Sequence, residues 1–135
     1  MPEQAPDRQA ADRHAADRLD ADAEAADAGS AELVRRLLRH DAGASAEILA
    51  RSATSTSPGL LVAAAILADR TSPALDRAQR CATTTRDRQL VALAAARLGG
   101  DAELLDALAR DHLADYPDHE LAAWIADPAV TEERA

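Results

Sequence analysis

The sequence predicts an all-α protein, an array of antiparallel helix pairs with about seven helices. Three observations carry that expectation. Leu, Val and Ile recur three and four residues apart with charged residues between them, the spacing of one face of a helix. No stretch alternates apolar and polar residues as a strand does. Pro58, Pro73, Pro117 and Pro128, with Gly43 and Gly99-Gly100, cut the chain into pieces of helical length joined by short linkers.

The first predicted helix follows Ser30, a natural cap, with Leu33, Val34, Leu37 and Leu38 on one side and Arg35, Arg36 and Arg39 on the other. Asp41-Ala42-Gly43 ends it. A second begins at Ser45 with Ala46, Ile48, Leu49 and Ala53 as its apolar positions, and the run from Thr54 to Ser57 breaks it. Pro58 suits the first turn of a third helix, reaching to about Asp69. Its Leu60, Leu61, Val62, Ile66 and Leu67 surround most of the circumference, so it should be buried on all sides.

Thr71-Ser72-Pro73 opens a fourth helix, with Leu75, Ala78, Cys81 and Ala82 expected to face inward and Asp76, Arg77 and Arg80 to face water. The fifth runs from about Thr85 to Leu98, carries Leu90, Val91, Leu93, Ala94 and Leu98, and stops at Gly99-Gly100. Asp101 caps a sixth, with Leu104, Leu105, Leu108 and Leu113, up to Tyr116-Pro117. The seventh, Asp118 to Ala126, brings Leu121, Trp124 and Ile125, and Trp124 is expected to seal the end of the array.

With 135 residues the chain has room for one domain of ordinary size. About a quarter of it is Ala, which supplies little core volume but lets helices approach closely. Phe is absent and the only Trp and Tyr are Trp124 and Tyr116, which argues against a ring-lined ligand pocket or a base-stacking surface. The single Cys81 cannot form an intramolecular disulfide and is expected in the core. The N-terminal stretch has neither the basic start nor the apolar centre of a signal peptide, and the longest apolar run, Leu60 to Ala68, falls far short of the roughly 20 residues that span a bilayer. A cytoplasmic protein without membrane contact is the expectation.

Charge is segregated. Residues 1–30 hold three Arg and eight acids (−5), residues 31–100 ten Arg and six acids (+4), and residues 101–135 two Arg and ten acids (−8), which sum to the formal −9. Residues 1–29 repeat Asp-Arg at positions 7-8, 12-13 and 17-18 with Leu19 as the one large branched apolar side chain. Five residues advance about 500° around a helix, so these pairs form no stripe, and a frayed or disordered tail is expected. The domain is expected over residues 30–127, with 128–135 as a second tail.

Ala46, Ala50 and Ala53 before Pro58, after the amphipathic helix from Leu33 to Leu38, and later Gly100 before Pro117 between Leu-rich helices, resemble the tetratricopeptide pattern of helix, turn, helix, small-residue ladder and closing Pro. The stretch SPGLLVAAAILA through ALDRAQRCATTTRDRQLVALAAARLGGDAELLDALARDHLADYPDH is similar, more narrowly, to the repeat core of the tetratricopeptide repeat protein 38-like family. The resemblance covers roughly residues 31–126. It implies a short right-handed solenoid used as a protein-binding or scaffold surface, with no catalytic residues and no cofactor to carry over.

In such a solenoid the first helix of each pair lines the concave side, here the helices starting near Ala31, Pro58 and Thr85. The outer two carry Arg35, Arg36, Arg39, Arg86, Arg88 and Arg97, whose forked donors match carboxylates, so these six are the candidate partner-binding residues and an acidic protein or peptide segment is the expected partner. Two other readings compete. Asp111, His112, Asp115, Asp118, His119 and Glu120 combine imidazole and carboxylate, with His112 and Asp115 three apart on a helix, which suits a metal-binding subunit or regulator of an enzyme. The Arg-rich middle suits a DNA-associated regulator, although the acidic ends, the lack of Lys and the scarcity of aromatics argue against nucleic acid.

Overall fold

The computed structural model describes residues 28–68 and 73–127. Among the described residues the secondary structure is seven helices and no strand: α1 (28–38), α2 (Ala44–Arg51), α3 (Pro58–Ala68), α4 (Ala74–Cys81), α5 (Thr85–Leu98), α6 (Ala102–Asp115) and α7 (Glu120–Ala126). Of the expected tails, 1–29 and 128–135, all but residues 28 and 29 lie outside these residues, as does the start of the fourth helix at Thr71-Ser72.

The core is organised around α3. Its Leu60, Leu61, Val62, Ala63, Ala64, Ala65 and Ile66 are all buried, so the helix has no solvated face over two turns. It packs against α2, α4, α5 and α7. Burial of each of its Leu, Val and Ile side chains contributes about 1.5–3 kcal/mol, and the Ala at neighbouring positions lets the surrounding helices come close. Gly59 marks one such approach, since a Cβ there would stand 3.8 Å from Leu121 Cδ2 of α7. The helices fall into two tiers: α3, α5 and α7 pack on one another, whereas α4 packs on α3 and α5, and α6 on α5 and α7, its neighbours in the chain.

The ends of the helices follow local chemistry. Thr84 accepts a hydrogen bond from the Asp87 N–H and Asp101 from the Leu104 N–H, capping α5 and α6. α5 stops where Gly100 takes φ 73°, with the Gly100 and Asp101 N–H groups donating back to the carbonyls of Arg97 and Ala96.

Several expectations are corrected. Residues 28 and 29 are already helical, so the buried Ser30 sits inside α1 and does not cap it. α1 ends one turn earlier than the Gly43 signal indicated, because His40 itself adopts the left-handed conformation, φ 63°. Gly43, with φ −81°, instead precedes α2, its N–H donating to Asp41 Oδ1. Leu49 and Leu104, expected in the core, are 40% and 47% exposed, each on the outer side of its helix. Cys81 is half-buried at the end of α4. Arg77 does not face water: its Nη1 donates to the Ser52 carbonyl and its Nη2 to the Ser55 carbonyl at 2.7 Å, tying the α2–α3 connection to α4.

Candidate functional site

One open cleft of about 810 Å³ stands out among the described residues, and it is bordered by the odd-numbered helices. α1 contributes Val34, Arg35 and Leu38; the start of α3 contributes Ser57 to Leu60; the start of α5 contributes Thr84, Arg86, Asp87 and Leu90. The segment joining α6 to α7 closes it with Tyr116, Asp118 and His119, together with Glu120 and Leu121 at the start of α7. Leu60, Leu90 and Leu121 are buried residues of the central core, so the cleft has an apolar base with charged groups around it.

Behind one wall, reaching it through His119, runs a chain of three polar side chains from three elements. His112 lies on the inward stripe of α6 with Leu105 and Ala109 and is only 1% exposed. Its Nδ1 is 2.7 Å from Gln89 Oε1 on α5, and its Nε2 is 2.7 Å from His119 Nδ1. Because the Gln89 oxygen only accepts, His112 carries its proton on Nδ1 and offers a lone pair at Nε2. His119 therefore donates from Nδ1 and has its lone pair on Nε2. His119 is 8% exposed, and no buried side-chain nitrogen or oxygen among the described residues lacks a partner. Its Nε2 forms no hydrogen bond among the described residues, and His119 borders the cleft.

Arg86 completes this wall. Its guanidinium carbon stands 6.0 Å from the centroid of the Tyr116 ring, which lies 5.0 Å from the His112 ring, itself 4.9 Å from that of His119. Burial, then the Arg86 charge, then His112 push the pKa of His119 down to about 4. Burial and Arg86 also lower that of His112, while Asp115 acts in the opposite direction. Both imidazoles are neutral at physiological pH.

The six candidate arginines separate. Arg35 and Arg86 border the cleft. Among the described residues Arg35 makes an exposed contact with Glu32, at 3.3 Å, and Arg86 makes no ion pair. Arg36 is engaged within the chain, its Nε donating to Asp41 at 2.8 Å and its Nη1 to Glu47 at 3.2 Å, which fastens the α1–α2 turn and holds the Asp41 carboxyl below its usual range. Arg39, Arg88 and Arg97 do not border the cleft; Arg39 and Arg88 are exposed and Arg97 is half-buried.

The polar cluster from Asp111 to Glu120 is likewise divided. Its four acids, Asp111, Asp115, Asp118 and Glu120, are exposed, whereas its two histidines turn inward and bond to each other. No group of three or more His, Cys, Asp or Glu that could hold a metal ion occurs among the described residues. Gln89 had no signal in the sequence. His112 had one, since it continues the apolar positions Leu105 and Ala109 at helical spacing. No helix among the described residues is long and apolar enough to cross a membrane. Comparison with family models, curated proteins and solved structures finds no match to the chain.

Proposed function

We propose that the protein is a non-catalytic, tetratricopeptide-like adaptor of the cytoplasm that binds a protein or peptide segment in the cleft bordered by α1, α3, α5 and α7. The packing of α3 on α5 and of α5 on α7, with α4 and α6 behind them, supports a layering of helix pairs, and the contact of α7 with α3 closes the array more tightly than a linear stack would. The observation that carries the reading is an apolar base bordered by Arg35 and Arg86 as well as by Asp87, Asp118 and Glu120, which suits a segment presenting apolar side chains and a single carboxylate. His119 favours binding over catalysis. A general base works best with a pKa near the operating pH, and one at about 4 abstracts protons poorly while accepting a hydrogen bond at any physiological pH.

A photo-crosslinking amino acid placed at Leu38, beside Arg35, tests this in the full chain. The expected result is a crosslinked partner peptide that is lost in Arg35→Glu/Arg86→Glu at unchanged thermal stability and weakened by added salt. Crosslinking that is absent, or indifferent to the charge reversal, would overturn the reading.

A further inference from the structure

We propose that His119 Nε2 is a specificity-determining acceptor for a backbone amide N–H of the bound segment, set beside an acidic side chain that Arg86 holds. The inference rests on the peptide-binding reading above and goes on to state which chemical groups the cleft distinguishes.

The geometry selects the donor in three steps. First, the proton on each imidazole is fixed from behind. Gln89 Oε1 sets His112, and His112 sets His119, so Nε2 of His119 can present only a lone pair to the cleft. Second, that lone pair belongs to a ring that is otherwise buried and hydrogen-bonded, so it is held in direction, which makes it selective for a group arriving from the cleft. A segment that covers Nε2 without donating to it leaves an acceptor stripped of water, and that costs affinity. Third, a polypeptide always brings backbone amide N–H groups, and these neutral donors meet neither the charge of Arg86 nor those of Asp118 and Glu120 on either side of His119 in the chain.

The same charges limit how acidic the segment is. Asp87, Asp118 and Glu120 also border the cleft. They repel a run of carboxylates, so one acidic side chain facing Arg86 fits better than several. The recognised unit is therefore an aspartyl or glutamyl residue with its own N–H, flanked by apolar residues that meet Val34 and the half-buried Leu38.

Three small probes separate these elements by nitrogen NMR of the histidine rings in the full-length protein. N-acetyl-aspartic acid dimethylamide carries one N–H and one carboxylate. Its N-methyl analogue lacks the N–H, and the asparagine counterpart lacks the charge. A molecule of this size is expected to bind with a dissociation constant on the order of 1 mM. The expected result is a saturable change at His119 Nε2 with the first probe, weakened about tenfold without the N–H and about fivefold without the carboxylate. Arg86→Gln should abolish the difference between the aspartyl and asparaginyl probes. If His119 does not respond at probe concentrations of about ten times that constant, or responds equally to the N-methyl analogue, the proposal is overturned. Both outcomes leave the cleft reading to be judged by the crosslinks at Leu38.

Discussion

His40 and Gly100 occupy the same place at the ends of α1 and α5, with φ of 63° and 73°. At each, the residue's N–H and that of its successor fold back onto carbonyls of the last helical turn: His40 and Asp41 onto Leu37 and Arg36, Gly100 and Asp101 onto Arg97 and Ala96. Only one of the two is glycine. The left-handed region costs a residue with a Cβ about 1 kcal/mol, partly offset by the greater chain entropy of glycine in the unfolded state. His40→Gly is expected to stabilise the protein by about 0.5–1 kcal/mol, and Gly100→Ala to destabilise it by about 1 kcal/mol, as read from urea denaturation midpoints.

Acid should weaken the fold through His119. The pKa of His119 in the folded protein is about 4, below its ordinary 6.5, because burial, Arg86 and His112 oppose its charging. The unfolded chain thus binds more protons between those values. The stabilisation is complete above pH 6.5 and is lost as pH falls towards 4, up to about 3 kcal/mol for this group, with His112 adding in the same direction. Asp41, held below 3.8 by Arg36, acts only at still lower pH. Urea midpoints measured from pH 7.5 to 4.5 should fall steadily for the natural protein, and His119→Leu should flatten the slope whatever its absolute stability.

Arg77 predicts how the α2–α3 connection is held. Its two guanidinium nitrogens serve the carbonyls of Ser52 and Ser55, one on either side of the turn. Arg77→Ala should cost about 1–2 kcal/mol, and Arg77→Lys should recover only part of it, since one ammonium cannot reproduce the fork. Limited proteolysis should show faster cleavage between residues 52 and 57 in both variants.

The Ala content of α3 makes a prediction about volume. Ala64 is fully buried on the central helix, whereas Ala107 is exposed on α6. Ala64→Leu is expected to destabilise by about 1–3 kcal/mol through overpacking, and Ala107→Leu to change stability by less than about 0.5 kcal/mol. Thermal melts of the two variants, equal in composition, check the difference.

The sequence was most legible where punctuation and periodicity agreed. α5 begins and ends at the expected residues because Thr84 caps it and Gly100 stops it, and α3 is buried all round because apolar side chains cover its whole circumference. The end of α1 was misread because Gly43 gave a stronger local signal than His40, although the carbonyls of Arg36 and Leu37 needed donors three residues earlier. Pattern placed six arginines on one functional list, and tertiary structure divided them, since whether Arg36 meets a partner or Asp41 and Glu47 depends on a turn that spacing alone does not define. The histidine pair was seen as a cluster with its acidic neighbours. That His112 bonds His119 across the Pro117 turn, while Asp115 stays in water, follows from which side of α6 faces the core.

The contacts of α3 with α2, α4, α5 and α7 have a bearing on exchange with solvent deuterium. In a linear stack each pair touches only its neighbours, so terminal pairs can open alone and their amides exchange early. Here α7, the last described helix, rests on the central one. Opening α7 withdraws Leu121 from Gly59 on α3, which links the protection of the C-terminal end to that of the middle. The slowest amides should therefore lie in α3 and exchange only when the whole domain opens, and α7 should be protected well beyond what seven residues at the edge of a stack would retain.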